Sequence, residues 1–135
     1  MKNTTLLLTL ITTFFITACG NSQNDATKEK AKIEVVDAQK FNELITQEGI
    51  ILDVRTPKEW AQGTIKGAVK MNFFDADFTN QIETLDKTKP IYVYCKAGGR
   101  SSKAAMQLEK IGFTKIYDLD GGIGAWDKAG YATVK

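Results

Sequence analysis

The chain of 135 residues carries 18 Lys+Arg against 16 Asp+Glu, two cysteines and no histidine, a size at which one domain is expected. Hydrophobic residues at 43% and charged residues at 25% exclude wholesale disorder, and a formal charge of +2 without a basic stripe gives no reason to expect nucleic acid as a partner. Without histidine, Cys-His and Ser-His catalysis and His-ligated metals are excluded within the chain, and two cysteines alone cannot build a structural zinc site. Any chemistry falls to Cys, Arg, Lys and carboxylates, with no cofactor and no metal expected.

The N-terminus does not read as part of the fold. Lys2 provides a positive start, and Leu6 to Ala18 is a mostly apolar run of 13 residues, fitting a secretory signal and short of the roughly 20 residues of a membrane span. The run closes on Ile16-Thr17-Ala18-Cys19-Gly20, which resembles the end of a bacterial lipoprotein signal. That resemblance implies removal of residues 1–18 and lipidation of Cys19 as the mature N-terminus, which anchors the protein in the bacterial cell envelope, facing the periplasm or the outer surface. Stable anchoring takes more than one acyl chain. A plain signal peptide or an uncleaved anchor, with Cys19 incidental, is the alternative. Residues 19–32 then comprise the lipidated end and the polar stretch GNSQNDATKEKAK, a linker without apolar periodicity. It reaches at most roughly 45 Å when extended, so the domain, residues 33–135, stays near the membrane.

Within that domain strand and helix patterns alternate. Ile33–Val36 reads as a short strand, and Asp37 caps a helix carrying Phe41, Leu44 and Ile45, stopped by Gly49. Ile50–Val54 is a continuous apolar run around Asp53, the pattern of a strand buried on both faces. Thr56-Pro57-Lys58-Glu59 has the form of a capping box with proline at the first helical position, opening a short helix through Trp60 that ends at Gly63. Ile65 to Met71 reads as a third strand and Phe78 to Leu85 as a helix. Ile91–Tyr94 is a second fully apolar run and ends at Cys95. Ser101 or Ser102 is expected to cap a helix bearing Ala104, Ala105, Leu108 and Ile111. Ile116–Leu119 is a fifth strand, followed by Gly121-Gly122 and a helical turn around Ala125 and Trp126. The fold class is therefore α/β, a mostly parallel five-stranded sheet with helices on both faces. Such sheets bind ligands beyond the carboxyl ends of their strands, where Cys95 sits and Asp53 falls nearby.

The segment Cys95-Lys96-Ala97-Gly98-Gly99-Arg100-Ser101 is the candidate site. Glycines let successive backbone N–H groups turn inward at a helix N-terminus. A sulfur at that centre feels amide dipoles, the helix dipole and the charges of Lys96 and Arg100, all favouring thiolate over thiol. An inert core cysteine is the usual fate of a free Cys, but the glycines, lysine and arginine behind Cys95 argue against it. A disulfide would suit an exported protein, yet with Cys19 lipidated Cys95 has no partner in the chain, and an odd thiol points to reactivity.

Over about residues 33–135 the chain resembles a single-domain rhodanese. Cys95-x-x-Gly98-x-Arg100-Ser101 is similar to that family's active-site loop. Asp53-Val54-Arg55 with Glu59-Trp60-x-x-Gly63-x-Ile65-x-Gly67-Ala68 resembles its first motif, and Gly121-Gly122 with Trp126 its C-terminal one. The resemblance implies a sulfurtransferase. Cys95 attacks the outer sulfur of thiosulfate or a similar anionic donor, sulfite leaves, and a cyanide or thiol acceptor takes the sulfur from the Cys95 persulfide. The loop amides of Lys96, Ala97, Gly98, Gly99, Arg100 and Ser101 hold the negative charge as oxyanion-hole donors hold an oxygen. A monomer is expected. The family often has a histidine where this chain has Thr64, so altered packing or substrate access is expected there.

Asp53, Arg55 and Glu59 are candidates to pair with Arg100 and support the loop. The plainer alternative leaves Arg55 and Glu59 as surface charges, Glu59 serving only its capping box. Trp60, Trp126, Tyr92 and Tyr94 read as packing residues. A cysteine phosphatase would need five residues between Cys and Arg, whereas four separate Cys95 from Arg100. A non-catalytic rhodanese-like binding module and an envelope sulfur-carrier or thiol-redox protein remain as alternatives, since a fold alone does not prove activity.

Overall fold

A computed structural model describes residues 30–135; the expected signal peptide at 1–18, Cys19 and most of the expected linker lie outside the described residues. Strands β1 (Lys32–Val36), β2 (Ile50–Asp53), β3 (Val69–Lys70), β4 (Ile91–Tyr94) and β5 (Lys115–Leu119) form one sheet in the order β1-β5-β4-β2-β3. Every pairing is parallel. Helices α1 (Ala38–Leu44), α2 (Pro57–Trp60), α3 (Phe78–Glu83), α4 (Gly99–Lys110) and α5 (Gly122–Lys128) connect them.

The apolar run Ile91–Tyr94 occupies the middle of the sheet and is buried throughout, because a central parallel strand has a covered surface on each side. Its pleat divides the core. Ile91, Val93 and Cys95 pack with Ile82 of α3 and Ala104, Ala105 and Leu108 of α4. Tyr92 and Tyr94 turn to the other face, with Phe41 of α1 and Trp126 of α5. Phe41 lies edge-on to Tyr92, Tyr94 and Trp126 with ring centroids 6.2–6.5 Å apart. Each fully buried side chain of this kind contributes about 1.5–3 kcal/mol.

The chain leaves β2 toward β3 on one side and leaves β4 toward β5 on the other. Loops that diverge from adjacent strands open a crevice at the carboxyl end of the sheet, and Cys95 stands at its floor.

Two local expectations are corrected. The third strand is only Val69–Lys70 rather than Ile65 to Met71. Ile65 is buried, but its carbonyl accepts from the Ala68 N–H in a turn through Gly67 at φ +83, which interrupts an extended run. The fourth helix starts at Gly99, with Gly98 at φ +105 as its cap, so neither Ser101 nor Ser102 caps it. By contrast, Asp37 caps α1 by accepting from the Lys40 N–H at 2.7 Å, and the Thr56–Glu59 capping box forms as its spacing requires.

Candidate active site

Cys95 is buried and follows directly on β4. The next residues curl back over it because Gly98 adopts a left-handed conformation open to glycine. The curl brings the Gly98 N–H to 3.1 Å from Cys95 Sγ, to which it donates. Burial is the largest single influence on the thiol and opposes its ionisation. The Ser101 hydroxyl and N–H together with the amides of Ala97 and Gly98 outweigh it, leaving the Cys95 thiol below its ordinary range. The sulfur is thus the acceptor that the first turn of α4 would otherwise lack.

The N-terminus of α5 fixes this loop from behind. The Ile123 N–H donates to the Cys95 carbonyl at 2.8 Å and the Gly124 N–H to the Lys96 carbonyl at 3.2 Å. Gly122 makes that approach possible, since a Cβ there would stand 2.6 Å from the carbonyl carbon of Lys96. The Gly121-Gly122 pair, separated in sequence from the loop, belongs to its support, whereas Trp126 packs with Phe41 and Tyr131 in the core of the other face.

The charged residues divide into two groups. Glu59 reaches Arg100 by two parallel hydrogen bonds, each 2.8 Å. It also accepts from the N–H and hydroxyl of Thr56, so one carboxylate serves both the α2 cap and the loop. The Arg100 guanidinium is the main reason its pKa falls to about 2. Asp53 and Arg55 do not pair with Arg100. They pair with each other, Nη2 to Oδ2 at 2.7 Å, both buried. Burial of both is the reason: the Asp53 carboxylate needs a close cation, and Arg55 is the neighbour that shares its pocket. Arg55 also donates to the Gly63 carbonyl at 2.7 Å. The Tyr94 hydroxyl donates to Asp53 at 2.6 Å and accepts from the Ile65 N–H at 3.0 Å. Burial first, then the Asp53 charge, pushes the Tyr94 phenol up, so it stays a donor. The pair and Tyr94 tie the segment 63–65 to β2 and β4.

Above the sulfur lies an open cavity of about 420 Å³ walled by Phe73, Phe74, Lys96, Arg100 and Lys103. Phe74 is exposed, and the Arg100 guanidinium lies 5.6 Å from its ring centroid. Arg100 is committed to Glu59, whereas neither Lys96 nor Lys103 joins an ion pair among the described residues. These two lysines supply the cavity's uncompensated positive charge. Ala97 and Gly99 are exposed at its rim, and Ser101 is buried under it.

Sequence reasoning missed Phe73, Phe74 and Lys103, which carry no motif. It read Tyr94 as packing, although a tyrosine in a fully buried strand signals a hydroxyl in need of a partner. Thr64, in the position where a histidine is frequent, is buried and exchanges two 2.8 Å backbone hydrogen bonds with Val134, so its position ties down the C-terminal segment.

The profile of the rhodanese-like domain matches residues 37–129. The chain is 38% identical over 92 residues to the chloroplastic thiosulfate sulfurtransferase 16 of Arabidopsis thaliana, covering 61% of this chain and 77% of that protein. It is 40% identical over 90 residues to a tRNA uridine(34) hydroxylase of Pelagibacter ubique, but the match spans 65% of this chain and only 30% of that protein's length. Among solved structures, a rhodanese-related protein from Thermoplasma volcanium superposes with a TM-score of 0.68 at 30% identity, covering 75% of this chain and 97% of the other.

Proposed function

The chain belongs to the rhodanese-like domain family, which includes sulfurtransferases among its relatives, and from that membership we propose that it transfers a sulfane sulfur through Cys95. The observation that carries the reading is a thiol at the floor of an open cavity lined by Lys96, Arg100 and Lys103, held below its ordinary range by the Ser101 hydroxyl and inward-facing amides in a chain without histidine.

The step balances without an external base. The Cys95 thiolate attacks the outer sulfur of thiosulfate or a similar donor; the new S–S bond forms as the donor's S–S bond breaks, and sulfite leaves with the bonding pair. The persulfide keeps one negative charge on its terminal sulfur, within reach of the amides that held the thiolate. Cyanide or a thiolate then attacks that terminal sulfur and restores the Cys95 thiolate. Lys96 and Lys103 attract the anionic donor, while Arg100 and Glu59 keep the loop in place.

Intact-mass measurement on the full chain carrying Cys19→Ser tests this. Thiosulfate should add one sulfur atom that cyanide removes and that Cys95→Ser abolishes. No adduct on folded, reduced protein would sink the proposal in favour of a binding module. Lipidation at Cys19 would hold this chemistry at the cell envelope; it predicts palmitate incorporation in cells that Cys19→Ser abolishes, and unchanged labelling would refute it.

A further inference from the structure

The segment after β3 carries an aromatic side chain that neither the core nor the sulfur chemistry above uses. Phe74 is 67% exposed, yet it is held in place. The Phe73 N–H donates to the Val54 carbonyl at 3.2 Å, which ties the segment to the end of β2. The Phe74 N–H donates to Asn72 Oδ1 at 3.1 Å, and the Asn72 amide donates to Asp75 Oδ1 at 2.7 Å. The ring is seated as well. Aromatic centroids step outward from buried Phe78 to Phe73 at 5.3 Å, and from Phe73 to Phe74 at 5.9 Å. The Arg100 guanidinium carbon lies 5.6 Å from the Phe74 centroid. A single exposed aromatic needs no explanation by itself; one fixed at the rim of a reactive cavity has a surface to offer.

The cavity decides what meets that surface. Cys95 is 1% exposed and lines the same space of about 420 Å³, so a molecule that collects sulfur from it approaches along these walls. The volume falls in the range of organic-ligand sites. A thiosulfate ion, at roughly 30 Å³ for each water-sized atom, fills well under half of it, and cyanide less. Phe73 and Phe74 make the wall apolar, while Lys96 and Lys103 are exposed on it and join no ion pair among the described residues. The carboxylates of the same segment do not answer these lysines. Asp75 accepts from Asn72 and Asp77 from Gln81, and neither lines the cavity.

We propose that Phe74 is a specificity-determining residue for the sulfur acceptor, and that this acceptor is an organic thiol with a flat apolar body and an anionic group. The proposal rests on Cys95 carrying the transferred sulfur. The apolar body packs on the preorganised ring, and the anionic group meets Lys96 and Lys103. The acceptor thiolate attacks the terminal sulfur of the Cys95 persulfide. A new S–S bond forms on the acceptor as the Cys95 S–S bond breaks, and Cys95 leaves as thiolate with the bonding pair. The acceptor departs as a persulfide, and no external oxidant or reductant is consumed. Cyanide has no apolar body and gains nothing from the ring.

The test uses the full chain carrying Cys19→Ser, loaded with thiosulfate, and follows discharge of the persulfide by intact mass. Mercaptobenzoate and cyanide are the two acceptors, and the ratio of their rates is the readout. Phe74→Ala should lower that ratio about three- to tenfold, the worth of one aromatic contact, whereas Phe74→Tyr keeps the ring and should hold it within about twofold. Lys103→Gln should reduce the preference for mercaptobenzoate over mercaptobenzamide about two- to fivefold, an effect that added salt removes. If Phe74 only shields the Arg100–Glu59 pair, Phe74→Ala slows both acceptors alike, and the unchanged ratio overturns the proposal. If thiosulfate loads no sulfur, thiosulfate transfer fails on its own account and the ring is read from the Cys95 thiolate instead. Dithiobis(nitrobenzoate), an aromatic disulfide with carboxylates, then forms a mixed disulfide with Cys95 and releases one aromatic thiolate. Its rate relative to iodoacetamide must fall by the same factor in Phe74→Ala, and an unchanged ratio there also overturns the proposal.

Discussion

Gly122→Ala isolates the contribution of α5 to the reactive loop. Gly122 sits at φ +58, where a side chain is strained by about 1–3 kcal/mol. The new Cβ would also collide with the Cys95 carbonyl oxygen and lie 2.6 and 2.7 Å from the carbonyl carbon and oxygen of Lys96. These are backbone atoms and cannot swing aside, so reaching ordinary contact requires a retreat of roughly 1 Å. That retreat stretches the hydrogen bonds from Ile123 and Gly124 to the Cys95 and Lys96 carbonyls, at about 1 kcal/mol each. The combined loss is about 3–5 kcal/mol. A displacement near 1 Å at a reacting group costs on the order of a hundredfold in rate. Gly124→Ala provides the control: its Cβ would meet the Lys96 carbonyl oxygen at an ordinary 3.5 Å, and alanine is favoured over glycine in a helix by roughly 0.5–1 kcal/mol. Urea unfolding and the single-turnover rate of persulfide formation measure both effects. A Gly122→Ala protein within about 1 kcal/mol and threefold of the unsubstituted chain, or a Gly124→Ala protein that is the more damaged, would refute the reasoning.

Glu59→Gln should slow persulfide formation and reduce stability by about 1–2 kcal/mol, because it removes the charge from a partly solvent-screened arginine pair. The folded carboxyl lies at about 2 against its ordinary 4.5, so its contribution is complete above pH 4.5 and fades as pH falls toward 2. The difference in urea midpoint between the two proteins should therefore be constant from pH 5 to 8 and shrink below 4; a difference that grows on acidification contradicts the pairing. Arg55→Met leaves Asp53 charged and buried and should cost about 3–5 kcal/mol, while Tyr94→Phe, which chiefly deprives the Ile65 N–H of its acceptor, should cost about 1–3 kcal/mol. Thermal or urea unfolding ranks the two, and equal losses would mean that the ion pair does not organise the network.

Much of the architecture was legible in the chain because its signals are local. The apolar runs at Ile50–Val54 and Ile91–Tyr94 announce strands covered on both faces, and Asp37 and the Thr56–Glu59 box mark helix starts through contacts three residues apart. The cysteine loop was legible for the same reason: glycines, cations and sulfur lie within seven residues. Even locally, propensity misled where a backbone conformation decided the outcome. Serines looked like caps of α4, but Gly98 turns the chain at least three residues earlier and lets the sulfur accept the Gly98 amide.

The sequence named Glu59 among the candidates for Arg100, but the choice among Asp53, Arg55 and Glu59 was not legible, because it is set by which strands lie side by side. Glu59 meets Arg100, and Asp53 meets Tyr94, each across 41 residues; only the order β5-β4-β2 brings those ends together. The same order sets Asp118 of β5 beside Val93 of β4, and Phe73, Phe74 and Lys103 lie around the cavity. A nearly neutral chain offers Arg55, Glu59 and Arg100 several equivalent partners on paper. Burial removes the water that would make those choices interchangeable, and so the tertiary structure alone decides that Arg55 goes to Asp53 and Arg100 to Glu59.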